Sequence, residues 1–207
     1  MRTKIKICGL TSPEEAALLD PSHVDAAGMV LFCPKSKRNI TIERAVEIMK
    51  ALPKGIKKVA VTVSPTVEEA DLAEKAGFDF LQVHGTMERD FVIHGGLPII
   101  RAVNILEKIP VFEEHERMKA YLFDAATPGS GKTFDWQCLA KIPRDGRKFI
   151  LAGGLTPFNV GQAIRTVHPY MVDVSSGVEY ADRKGKDPAK VASFIQAVEK
   201  EDLRESL

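Results

Sequence analysis

Phe149-Ile150-Leu151-Ala152-Gly153-Gly154-Leu155-Thr156-Pro157 is an apolar run that stops at two glycines and passes at once into a helix-periodic segment reaching Val167. A second apolar run follows, Tyr170-Met171-Val172-Asp173-Val174-Ser175-Ser176-Gly177, and it ends on the same small, permissive residues. Strand, glycine turn, helix and strand in about 24 residues make one parallel unit with a right-handed crossover.

Outward from this stretch the unit recurs. Short runs rich in Val, Ile and Phe fall near residues 4–8, 28–33, 58–63, 79–84, 98–103, 120–125, 148–153 and 170–175. Helical patterns lie between them. Ser12 is placed to cap Pro13 to Leu19, with Glu15 set for a capping box; Thr41 opens Ile42 to Leu52, and Thr66 opens Val67 to Ala76. Trp136 to Ile142, Pro157 to Val167 and Asp187 to Glu201 supply later helices, with weaker patterns around Met87 to His94 and Val111 to Met118. Eight compact units, with no GxGxxG after the first strand, favour a closed barrel over an open dinucleotide-binding sheet. The expected architecture is α/β: a single (β/α)8 TIM barrel forming one domain over residues 1–207.

Lys plus Arg number 29 and Asp plus Glu 28, so no global field draws in nucleic acid or an anionic membrane. The three cysteines, Cys8, Cys33 and Cys138, are far apart and form neither a zinc motif nor a disulfide framework. A reducing cytoplasm is the expected compartment. The chain enters its first strand at Lys4, which leaves no room for a signal peptide, and no apolar stretch is long enough to span a membrane. Monomer and homodimer are both compatible with the sequence.

Strand parity predicts a charged barrel interior. Lys4, Lys6 and Cys8 should face inward from strand 1, Gln82 and His84 from strand 4, and Arg101 from strand 5. Asp124 should do so from strand 6, and Asp173 and Ser175 from strand 8. Buried charges are costly unless paired or used, so this set points to an active site at the C-terminal face of the strands. Lys6 with Asp173, or Arg101 with Asp124, reads equally well as a structural ion pair. The Gly and Ser loops after strands 7 and 8 stand where barrel enzymes bind phosphate: Gly153, Gly154, Ser175, Ser176 and Gly177.

Ala126-Thr127-Pro128-Gly129-Ser130-Gly131-Lys132-Thr133 imitates a nucleotide-binding P-loop. Alanine replaces its first glycine and Pro128 removes an N–H donor from the cradle. A glycine-rich lid beside Asp124 suits these residues better.

Several segments resemble the phosphoribosylanthranilate isomerases of tryptophan biosynthesis. They are Lys6-Ile7-Cys8-Gly9-Leu10-Thr11, Phe32-Cys33-Pro34-Lys35-Ser36-Lys37-Arg38, Leu81-Gln82-Val83-His84-Gly85, Gly129-Ser130-Gly131-Lys132-Thr133-Phe134-Asp135-Trp136, Ala152-Gly153-Gly154-Leu155 and Val172-Asp173-Val174-Ser175-Ser176-Gly177-Val178-Glu179. They follow the family order from Lys4 to the last helix. Cys33 and Thr62 depart from it, each standing where an aromatic residue is common.

The resemblance implies an Amadori rearrangement of N-(5′-phosphoribosyl)anthranilate, a small phosphorylated substrate, to 1-(2-carboxyphenylamino)-1-deoxyribulose 5-phosphate. Cys8 would be the general base and Asp124 the general acid. Arg38 would hold the anthranilate moiety, with Lys6 and His84 as further substrate-binding residues. No metal or organic cofactor is implied. Lys6 beside Cys8 is expected to favour the thiolate, and Asp124 needs partial desolvation to keep its proton. Related barrel chemistries are less compatible: the sister isomerase of histidine biosynthesis typically uses two aspartates, and indole-glycerol-phosphate synthase a lysine/glutamate pair.

Overall fold

The computed structural model describes residues 2–87, 96–105, 116–125, 133–140, 142 and 148–205. Eight parallel strands close into a barrel in chain order: β1 (Lys4–Cys8), β2 (Ala26–Val30), β3 (Lys57–Val63), β4 (Phe80–His84), β5 (Ile99–Ile105), β6 (Met118–Ala125), β7 (Lys148–Leu151) and β8 (Met171–Val174). The seam is the β1–β8 pairing, with Lys6 opposite Asp173 and Ile7 opposite Val174. Helices α1 (Pro13–Ala17), α2 (Ile42–Ala51), α3 (Val67–Ala76), α4 (Gln137–Ala140), α5 (Val160–Val167) and α6 (Pro188–Glu205) belong to the described residues, with a 3-10 turn over Ser176–Val178. Among these residues no helix is long and apolar enough to cross a membrane.

Local chemistry sets the helix ends. Thr66 and Glu69 form a full capping box at the start of α3, and Gly77 (φ 94°) ends it in the left-handed region. In α5 the buried residues Val160, Ala163, Ile164 and Val167 repeat at helical spacing and face the barrel. At α1 the Ser12 hydroxyl accepts from the Glu15 N–H, but the Glu15 carboxylate reaches back one residue further than a capping box would. It binds the N–H and hydroxyl of Thr11 instead, which ties α1 to the loop after β1.

Two apolar layers result. Ile5, Ile7, Leu81, Val83, Phe123 and Phe149 point outward and pack with Ile48, Ile164 and Phe194 of the helices. Val59, Val61, Ile100, Ala102, Leu122 and Ile150 fill the inside of the barrel. The polar groups of the site stand on this plug.

Three expectations need correction. The second strand runs over Ala26–Val30 rather than 28–33, and Phe32 turns back at φ 55°. The small residues Ala26-Ala27-Gly28 carry little strand propensity but satisfy an interior constraint described below. Arg101 does not face inward. It is in register with Val83 and Tyr121, both in the outer layer, and donates to the Val83 carbonyl at 3.1 Å, while Ile100 and Ala102 take the interior places. A strand buried on both faces has no hydrophobic alternation to reveal its parity. Met118, assigned to a helix end, instead opens β6. Thr62 is turned to the outer side with Ala60, its hydroxyl donating to the Gln82 carbonyl, so it does not line the interior. The helix expected at Met87 to His94 lies outside the described residues beyond Met87, as do most of the helix at Val111 to Met118 and the glycine-rich lid up to Lys132.

Candidate active site

Cys8 closes β1, buried, with Lys6 one turn of the pleat beneath it on the same face. The Lys6 side chain is 0% exposed and its Nζ lies 2.9 Å from Asp173 Oδ1 across the seam. Opposite Cys8 in the β1–β2 register is Gly28. A Cβ there would stand 2.8 Å from Cys8 Sγ and 3.1 Å from Lys6 Nζ, so this strand glycine makes room for both reactive groups. Burial alone would lower the Lys6 ammonium, but Asp173 and the Cys8 sulfur outweigh it and hold the group above its ordinary value. Burial and then the Asp173 charge push the Cys8 thiol up, and Lys6 and Lys186 only partly oppose them. Lys6 thus favours the thiolate, as expected, but desolvation outweighs it and the thiol lies above its ordinary value.

Asp124, near the end of β6, is also buried, and its Oδ1 accepts from the N–H of Ala125 at 2.8 Å. Gly153 (φ 84°) presses against it. A Cβ at Gly153 would lie 2.6 Å from Ala125 N and 3.1 Å from Asp124 Oδ1. Desolvation, only partly offset by the Ala125 N–H, pushes the carboxyl up to about 6. At the top of β4, burial first and then Lys6 and Arg101 hold the His84 imidazolium down to about 4, so the ring is neutral. Gln82 Nε2 sits 2.9 Å from His84 Nε2. With the amide as donor, the proton of the neutral ring belongs on Nδ1. That atom and Gln82 Oε1 have no hydrogen-bond partner among the described residues.

The two glycine loops pack on each other, and a Cβ at Gly177 would run into the Leu155 carbonyl. Asn159 clamps the first loop: its Oδ1 accepts from Thr156 N at 2.8 Å and its Nδ2 donates to Gly154 O at 2.9 Å. Gly154, like Gly153, has positive φ. Ser175 leads into the second loop, and its hydroxyl donates to the Cys8 carbonyl at 2.9 Å. Ser176 and Gly177 form the 3-10 turn that follows.

Arg38 reaches this region from the loop after β2. Its Nε and Nη2 hold the two oxygens of Glu179, a fork-on-carboxylate contact. Gly9 (φ 77°) lets it pass, since a Cβ there would collide with Arg38 Cδ. Lys37 and Lys186 also reach Glu179, each at 3.1 Å. Burial would raise this carboxyl, but Arg38 and Lys186 outweigh it and hold it down to about 2.

Cys8, Lys6, Asp173, Ser175 and Arg38 thus gather at the β1–β8 seam, with Asp124 against the Gly153 loop and His84 at the head of β4. Sequence reasoning missed Gly28, Glu179 and Lys186. A glycine inside a strand was a usable signal for the first. For Lys186, nothing local distinguishes it from the neighbouring lysines.

The family model described as N-(5′-phosphoribosyl)anthranilate (PRA) isomerase matches residues 5–197. The N-(5′-phosphoribosyl)anthranilate isomerase of Streptococcus mutans is 43% identical over 96% of this chain and 100% of its own. The solved phosphoribosyl anthranilate isomerase of Thermus thermophilus superposes with a TM-score of 0.84 at 31% identity, over 96% of this chain and 99% of that one. Another solved isomerase, in complex with reduced 1-(o-carboxyphenylamino)-1-deoxyribulose 5-phosphate, matches with a TM-score of 0.77 at 32% identity, over 96% and 99%. On this evidence the chain belongs to the N-(5′-phosphoribosyl)anthranilate isomerase family.

Proposed function

We propose that the protein isomerises N-(5′-phosphoribosyl)anthranilate to 1-(2-carboxyphenylamino)-1-deoxyribulose 5-phosphate, with Asp124 as general acid and Cys8 as general base. The observation that carries this reading is the Asp124 carboxyl, raised to about 6 beside the Gly153 loop. An acid so placed keeps a protonated fraction near neutral pH that an ordinary aspartate would not. Asp124 protonates the ribose ring oxygen as the anilino nitrogen pushes electrons in, and the ring opens to an iminium ion. Cys8 removes the C2′ proton, giving an enolamine whose tautomerisation yields the ketone. Atoms balance within one substrate, and the scheme needs neither metal nor organic cofactor.

The raised Cys8 thiol suits a base that ionises late. An iminium cation beside the sulfur favours the thiolate at the moment it is needed. Lys6 assists from beneath, and His84 offers its Nδ1–H as a substrate donor. Arg38 faces the anthranilate carboxylate, while Gly153, Gly154, Ser175, Ser176 and Gly177 take the phosphate through their N–H groups. We read the cytoplasm as its place of work, a reducing compartment in which widely spaced cysteines such as Cys8, Cys33 and Cys138 stay thiols.

The test is direct. Freshly made phosphoribosylanthranilate is fluorescent, and the purified protein should abolish that signal. Cys8→Ala and Asp124→Asn should each lose about 10²–10⁴ in rate. No turnover by wild type, or full rate in both variants, would sink the assignment.

A further inference from the structure

Lys186 is a lysine that the reaction scheme leaves idle, yet it is 3% exposed. The chain goes out of its way to bring it there. After Glu179 it turns through residues 180–185 and returns as an antiparallel bridge, Glu179 opposite Lys186, closed by Tyr180 N to Gly185 O at 3.1 Å and Asp187 N to Val178 O at 2.9 Å. Neutralising Glu179 does not explain the detour, because Arg38 already engages both carboxylate oxygens and Lys37 joins it on Oε2. The other contacts do. Lys186 Nζ lies 3.2 Å from the Ser175 carbonyl and 3.3 Å from its hydroxyl.

An ammonium has only donors, so a Ser175 hydroxyl that accepts from Lys186 must spend its own proton elsewhere. It does, on the Cys8 carbonyl. The result is a directed chain from Lys186 through Ser175 to the end of β1. Arg38, Lys37 and Lys186 converge on one carboxylate, Glu179, so Lys186 brings a buried positive charge beside the Ser176–Val178 turn that Glu179 does not need for its own pairing.

We infer that Lys186 is a positioning residue for the phosphate end of the substrate: it pins Ser175, and with it the second phosphate loop, to the Cys8 carbonyl, and it holds a buried positive charge beside that loop. This deepens the isomerase reading and rests on it for the identity of the anion. Burial lowers the Lys186 ammonium by more than Glu179 raises it.

The experiment uses inorganic phosphate as the probe, followed by calorimetry on the whole protein, so that it needs no turnover. Lys186→Met should weaken phosphate binding by about tenfold or more, the loss of one charge-assisted contact. In turnover it should raise KM by a larger factor than it lowers kcat. Lys186→Arg should restore a measurable part of the affinity, which a merely structural loss would not show. If Lys186→Met does not fold, Lys186→Gln, able to keep a Ser175 contact without the charge, must still bind phosphate more weakly. A folded Lys186→Met or Lys186→Gln with wild-type phosphate affinity overturns the inference and leaves the isomerase reading standing. Wild type that binds phosphate in the expected manner but does not consume phosphoribosylanthranilate overturns the isomerase reading instead.

Discussion

Two carboxylates at the same end of the barrel go opposite ways. Asp124 and Glu179 are both largely buried, and burial pushes each of them up. Asp124 has one backbone N–H and the weaker pull of Lys6 to set against that push, the Asp173 charge adds to it, and it ends near 6. Glu179 has a guanidinium fork and two ammonium groups, and it ends near 2. The difference lies in the neighbours, and on the proposed reading it separates a group that trades a proton from a group that holds geometry. Depth in the protein is a poor guide to a carboxylate's work; the count of opposing charges is a better one.

The largest effect should come from making Asp124 unable to titrate. Asp124→Asn removes the proposed general acid, should lose about 10²–10⁴ in rate, and should also make the protein more stable. The sign follows from linkage: a carboxyl raised from 3.8 to about 6 on folding costs stability wherever it is ionised. At pH 7 that cost is on the order of 2–3 kcal/mol, and it vanishes as pH falls towards 4. Thermal unfolding of both proteins at pH 7 and pH 4 checks it. A variant that melts lower than wild type at pH 7 would break the contrast.

Next comes Gly153→Ala. A side chain there must adopt φ 84° and meet Ala125 N at 2.6 Å. The left-handed conformation alone costs about 1–2 kcal/mol. Because the methyl also crowds Asp124, KM and kcat should both worsen, measured by steady-state kinetics. An alanine variant with unchanged kinetics would mean that the loop does not set the acid's surroundings.

A third test is the pH profile. With Asp124 near 6 and the Cys8 thiol above its ordinary value, the reactive form is the minor one, thiolate with protonated acid. Such a pair gives kcat/KM that rises to about pH 6, runs level, and falls only on the alkaline side of the thiol. A fall beginning at pH 6 would mean Cys8 is already ionised there. The smallest effect belongs to Glu179→Gln. A carboxyl lowered from 4.5 to about 2 stabilises the fold above pH 4.5, and that contribution is lost as pH falls to 2. The two proteins should therefore differ in melting temperature at neutral pH and converge in strong acid.

Legibility in the sequence followed the same division. Residues whose role is set by their own strand could be read: Cys8, Lys6, His84 and Asp173 all face inward as parity requires, and Thr66 announced the start of α3. Residues whose role is set by a distant neighbour could not. Arg101 lies on a strand with apolar neighbours on both faces, so its direction had no local mark. The start of β2 was hidden because Gly28 is chosen for the space above it rather than for strand propensity. Lys186 gains its meaning only from a turn that brings it to Glu179 and Ser175.

The seam between the first and last strands has a bearing on how the protein is made. Lys6 meets Asp173, and Cys8 meets Ser175, across 167 residues of chain. At ribosomal speeds of about 5–20 residues per second, the nascent N-terminus waits roughly 10–30 s before its partners exist. During that interval the cysteine lacks the Asp173 and Lys186 charges that later act on it and the Ser175 hydroxyl that binds its carbonyl, and the first strand is an open edge. Closure thus joins strands whose partners lie 167 residues apart and completes the charged surroundings of Cys8. A chain released early, short of β8, would carry the thiol without the machinery.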